Sequence, residues 1–227
     1  MPSRLLQALS TSVGTKFLIA FTGLCLFLFL VAHLAGNVLF IAGPGPFNDY
    51  AHGLVSNPLI YLAEAGLLAV FLVHAARAVM NWLTNQAARP DRYHVRRWAR
   101  TKNPVSRKSL ASTTMIVTGT LILLFVVTHL ATFKFGTYYE TPDGIRDLYR
   151  LQLEIFSQPA YVAYYLVSMG LVFAHLWHGL SSAAQSFGVD HPQWTPRILT
   201  LGRVLTVIIA GGFLVLPVYT FFLSRPA

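Results

Sequence analysis

The sequence predicts an all-α membrane protein of five transmembrane helices, on three observations. Hydrophobic residues make up 55% of the 227 positions and charged residues only 11%, with a mean hydropathy of +0.55. A soluble domain carries about a quarter charged residues, so the shortfall suits a surface that faces lipid. Five segments, about 15–42, 59–84, 111–134, 160–184 and 200–223, each supply the ~20 apolar residues that cross roughly 30 Å of hydrocarbon. Between them lie turn-forming or polar stretches: Gly43-Pro44-Gly45-Pro46, the loop 85–110, the loop 134–159, and Asp190-His191-Pro192.

The first segment is too long for the apolar region of a cleaved signal peptide and is read as a retained span. It holds the lone cysteine, Cys25. One cysteine cannot form a disulfide framework or ligate an iron–sulfur cluster, and without a Cys-x-x-Cys-His motif any haem is held non-covalently. The second and fourth segments begin just after Pro58 and Pro159, where a helix start accepts proline. The whole chain, 1–227, reads as a single transmembrane domain.

The net charge of +9 raises nucleic-acid binding only until the charges are placed. Eight of the 17 basic residues fall within 89–108, beside the spans. Such a cluster is a topology signal and a headgroup or partner contact. The amino terminus, the 85–110 loop, the 185–203 region and Arg77 together hold 13 basic residues, whereas the 43–57 loop holds none. The positive-inside rule therefore places the amino terminus in the cytoplasm and the carboxyl terminus outside.

Segments one and three carry matching text. Residues 22–35 read TGLCLFLFLVAHLA and residues 118–131 read TGTLILLFVVTHLA, identical at eight of 14 positions. Segments two and four agree through Ser56-Asn57-Pro58 and Ser157-Gln158-Pro159, each proline preceding a histidine by 16 residues. The first four helices thus form two helix pairs in parallel repeat, with the fifth an addition that contains no histidine.

Depth then sorts the histidines. At 1.5 Å per residue, His74 and His175 lie about 24 Å from the outer helix ends, and His33 lies roughly 15 Å from its outer end, as does His129. Two level pairs result: His33 with His129, and His74 with His175. A haem iron takes one imidazole on each face, so the pairs read as axial ligands of two b-type haems, an outer and an inner one. A single histidine in a span more simply hydrogen-bonds a neighbouring helix; four in two height-matched pairs outweigh that. Glycines at 23, 36, 119, 170 and 179 offer room for a flat macrocycle. His178 lies one turn beyond His175 and aligns with Arg77, so it is assigned to a propionate, quinone or partner contact. His52, His94 and His191 fall in loops.

Glu64 is the acidic residue within the spans, about ten residues outward of His74 on the second helix. An intramembrane carboxylate is a functional candidate by default. Its simpler role is a helix-end side chain reaching interfacial water. The functional one is proton exchange with a quinone at an outer site, with His52 or Asn37 in reach. No lysine or arginine in the 43–57 loop is available to pair with it. Arg77 and Lys16, near the cytoplasmic ends, are placed to meet the propionates of the inner haem.

Together these residues resemble the single-chain, dihaem cytochrome b subunits of succinate:menaquinone and quinol:fumarate oxidoreductases. The resemblance rests on LVAHLAGN around His33, FNDYAH at 47–52, FLVHAARA around His74, FVVTHLAT around His129, and FAHLWHGL followed by QSFG. It implies five helices with bis-histidine ligands on the first four, the haem nearer the cytoplasm taking those of helices two and four. It implies a membrane anchor in the bacterial cytoplasmic membrane, passing electrons from an iron–sulfur subunit through two haems b to menaquinone. A flavoprotein subunit would complete that complex, since this chain has no flavin fingerprint and does not oxidise succinate alone. Two other readings compete. One is the cytochrome b subunit of a hydrogenase or formate dehydrogenase, which usually has a different helix count and histidine placement and leaves FNDYAH unexplained; the other is a haem-free transporter or scaffold using histidines as polar glue.

Overall fold

A computed structural model describes residues 7, 11–88, 110–189 and 191–225. The basic stretch 89–108, with His94, lies outside them. Five long apolar helices make this a multi-pass membrane protein: α1 (Ser12–Val38), α3 (Leu59–Ala87), α4 (Leu110–His129), α6 (Pro159–Ser186) and α7 (Trp194–Leu223). Two shorter helices, α2 (Pro44–Val55) and α5 (Leu148–Phe156), complete the order. The described residues contain no strand, only an isolated bridge between Glu140 and Arg146.

The expected spans are all present, and three boundaries differ instructively. The 43–57 loop is largely the helix α2. Gly43, at φ 105°, supplies a backbone conformation that other residues rarely adopt. Pro44 then opens the helix, where a missing N–H costs nothing. Within 134–159, Asp147 caps α5 by accepting from the Arg150 N–H at 3.0 Å. The last helix begins at Trp194, six residues before the apolar run, because helix formation does not stop at the hydrocarbon edge. His191 belongs to its start: the His191 N–H donates to Thr195 Oγ1 and the Gln193 N–H to His191 Nδ1.

Helix α6 is central, packing on α7, α4 and α1, while α3 packs chiefly on α1 and only lightly on α4. The buried cluster accordingly draws on Tyr165, Met169, Val172 and Leu176 of α6, Phe27 and Leu34 of α1, Phe125 of α4, and Ile209 and Leu216 of α7. Lipid is as apolar as leucine, so close fit and polar contacts hold such helices together. Thr206, Ala210 and Thr220 are fully buried and let α7 approach closely. Gln152 of α5 donates to Thr220 Oγ1 at 3.3 Å. No residue of α3 is buried.

One end of the bundle is capped. Phe40, 1% exposed, stacks on Tyr149 at 4.3 Å between ring centres. Asn48, 2% exposed, donates to Asp147 Oδ1 at 2.9 Å and accepts from the Tyr149 N–H at 3.0 Å. These contacts tie α2 to α5 over the ends of α1 and α7.

Candidate functional site

The geometry brings the four histidines of the first four long helices into two facing pairs. His33 of α1 meets His129 of α4 with ring centres 5.8 Å apart and planes at 87°. His74 of α3 meets His175 of α6 at 6.5 Å and 69°. All four side chains are half-buried. A metal–imidazole bond is about 2 Å long, so an iron gripped from both sides holds ring centres roughly 6 Å apart. Both separations fit that requirement. Among the described residues no group of three His, Cys, Asp or Glu side chains converges to hold a metal ion, so each pair offers two ligands only.

The pairs sit at different depths. His74 lies against Ile19 and Thr22 of α1, which precede His33 by 14 and 11 residues. Eleven residues of helix rise about 16 Å. On α4, Thr118 lies against His175 and also precedes His129 by 11 residues.

Local contacts orient each ring. His74 Nδ1 is 3.1 Å from the Ile19 carbonyl oxygen and 3.1 Å from Thr22 Oγ1. A carbonyl can only accept, so Nδ1 carries the proton and Nε2 keeps its lone pair. His175 Nδ1 faces Thr118 Oγ1 at 3.2 Å. His129 Nδ1 faces the hydroxyl of buried Tyr165 at 3.2 Å. Asn37 donates from Nδ2 to the His33 carbonyl at 2.8 Å and lies 3.4 Å from His33 Nδ1.

The remaining site residues divide. His178 is half-buried, but the ring facing His74 belongs to His175. Arg77 is half-buried, one turn along α3 from His74, and Lys16 is exposed near the start of α1. His52 is exposed on α2, and its carbonyl accepts from Ser56 Oγ at 2.7 Å. Glu64 pairs with Lys134, not with Asn37, whose amide is committed to His33. Although the 43–57 loop offers Glu64 no lysine or arginine, Glu64 has a cationic partner, from the turn that follows α4.

That partner was missed because its position depends on a distortion. After His129 the helix widens into a π-turn, Leu130–Lys134. Arg146 donates to the Phe133 and Lys134 carbonyls at 2.9 and 3.1 Å, closing the turn. π-turns mark functional sites often, but no local sequence rule announces one.

Fold and site together define a five-span helical membrane protein that presents two facing imidazole pairs at two depths. No family model matches the chain. It is 26% identical over 183 residues to the succinate dehydrogenase cytochrome b558 subunit of Bacillus subtilis (strain 168), an alignment covering 80% of this chain and 81% of that protein. The resemblance to the cytochrome b subunits of succinate:menaquinone and quinol:fumarate oxidoreductases is thus supported by a relative spanning four fifths of the chain.

Proposed function

We propose that this chain is the cytochrome b membrane-anchor subunit of a succinate dehydrogenase, binding one haem b between His33 and His129 and a second between His74 and His175. The observation that carries this reading is the pair of facing imidazole couples, 5.8 and 6.5 Å between ring centres, on two levels of one bundle. The haems supply one-electron carriers between the iron–sulfur subunit and menaquinone.

The protein's own part is to hold and orient. The Ile19 carbonyl keeps the proton of His74 on Nδ1, leaving Nε2 for iron. Helix α3, with no buried residue and little contact with α4, is loosely held on the side where a flat macrocycle would enter beside His74. By the positive-inside rule, the end of the bundle that carries His74 and His175 faces the cytoplasm. The flavoprotein and iron–sulfur subunits dock on that basic face. Arg77, Lys16 and His178 are the groups there that meet haem propionates or the docked subunit. Glu64 lies at the opposite, outer end with Lys134, where a carboxyl group that exchanges protons with water serves menaquinone reduction. Asn37 orients His33, and His52 borders the same outer surface. The protein belongs, on this reading, in the bacterial cytoplasmic membrane.

The test is a redox-titrated visible spectrum of the intact complex with succinate as reductant. Two low-spin haems b per anchor chain, at least one reduced by succinate, are expected. A haem-to-protein ratio near one, or no low-spin α-band, refutes the two-haem assignment. Two haems reduced by formate or hydrogen, and not by succinate, refute the succinate assignment alone.

A further inference from the structure

The Thr-Gly pair that occurs twice in the sequence has a structural counterpart at both places. Thr22 of α1 donates its hydroxyl proton to Leu18 O at 2.6 Å. Thr118 of α4 donates to its own helix as well, with Thr114 O at 3.2 Å and Met115 O at 3.1 Å. With that proton committed, each oxygen turns a lone pair outward to the neighbouring helix. There it meets a histidine: His74 Nδ1 at 3.1 Å from Thr22, and His175 Nδ1 at 3.2 Å from Thr118. Both threonines are buried, at 5% and 6% exposure. The glycine after each threonine lies beneath the same ring. A methyl group on Gly23 would come within 3.1 Å of His74 Cε1, and one on Gly119 within 3.4 Å of His175 Cε1.

We infer that Thr22 and Thr118 are positioning residues that set the ring orientation and tautomer of the two imidazoles at the inner haem. Each accepts Nδ1–H across the helix interface and so turns Nε2 toward the iron. This rests on the haem assignment proposed above. An acceptor on Nδ1–H raises the donor strength of the other nitrogen, which favours oxidised iron and lowers its potential. The two positions are unequal. His74 keeps the Ile19 carbonyl as a second acceptor at 3.1 Å, whereas among the described residues His175 Nδ1 has Thr118 alone.

The experiment compares Thr118→Val, Thr118→Ser and Thr22→Val in the assembled, membrane-extracted complex. It reads haem content, the two midpoint potentials and the low-spin electron paramagnetic resonance signals. Valine keeps the shape and removes the acceptor. Thr118→Val should retain two haems, raise the potential of the inner haem, shift its signal and leave the outer haem unchanged. Thr118→Ser should restore both readouts, and Thr22→Val should shift them less than Thr118→Val. An inner haem unmoved by Thr118→Val, or equal shifts at both haems, overturns the inference. If Thr118→Val loses the inner haem, the serine variant decides: unmodified behaviour supports the inference, and loss there too overturns it. A parent complex without two haems defeats the haem assignment itself, and that result is seen before any variant is made.

Discussion

The Lys134 ammonium rests against the Glu64 carboxylate, joining the π-turn that follows α4 to the second turn of α3. Both side chains are about two-fifths exposed, at 41% and 44%. The protein therefore does not enclose this ion pair. Its interest is its place: Lys134 follows His129 by five residues, so the pair lies near the His33–His129 couple. Quinone reduction consumes two protons for each two electrons, and a carboxyl group here can deliver them. Glu64→Gln keeps the shape and removes the exchangeable proton. The variant should leave assembly and both haem spectra intact while lowering succinate:quinone turnover tenfold or more. Electron transfer to an artificial acceptor at the soluble subunits should be unaffected. Unchanged quinone turnover would reduce Glu64 to an interfacial partner of Lys134.

Gly136 ends the turn that places Lys134. A methyl group there would stand 1.9 Å from the Thr132 carbonyl oxygen and 2.9 Å from its carbon, and backbone atoms cannot swing aside. Gly136→Ala should therefore reopen the π-turn and displace both Lys134 and the carbonyls that Arg146 caps. We expect a cost of about 2 kcal/mol, seen as a lower unfolding temperature of the purified complex. Gly45→Ala, where nothing lies within 4 Å of the added carbon, is the control. Equal melting of the two variants would show that the turn tolerates a side chain.

Much of this arrangement is legible in the chain itself. Hydropathy and length place all five spans, because bilayer thickness imposes one scale on every helix. Helix rise alone sets His33 level with His129 and His74 level with His175, and the rings meet in that combination. The Thr-Gly text is visible too, but its partners are not: which ring lies over Thr22 depends on how α1 and α3 cross. Lys134 reads as the first residue of a polar loop, since a π-turn leaves no periodic signature. The short helices α2 and α5 escaped because twelve- and nine-residue segments between spans are too brief for hydropathy to separate from loops.

Asn48 within FNDYAH has a structural role that can be measured. Its amide bridges α2 to the start of α5 while 2% exposed, donating to Asp147 and accepting from the Tyr149 N–H. Asn48→Leu fills the space but leaves a half-buried backbone N–H, that of Tyr149, without its acceptor, a cost of about 1 kcal/mol. The variant should melt earlier, with haem content and spectra unchanged at low temperature. A wild-type melting point would mean that water or a neighbouring group takes over the bond.

The histidine pairs make a sharper prediction, because each pair has members on helices distant in sequence. If His33 and His129 grip one iron, replacing either with alanine removes the same haem and leaves the other spectrum untouched. His74→Ala and His175→Ala should share the opposite phenotype. The ring geometry supports this grouping: 5.8 Å and 6.5 Å within the pairs, against about 16 Å of helix rise between levels. The competing ligand on α6 is His178, one turn beyond His175. The ring that meets His74 is that of His175, so His178→Ala should keep two haems, and His175→Ala should lose one even with His178 intact. The measurement is the pyridine haemochrome ratio with the low-temperature α-band of each variant complex, normalised to the anchor chain. Two different haems lost from the His33 and His129 variants would break the outer pair, and haem loss in His178→Ala with retention in His175→Ala would move the inner ligand by one turn.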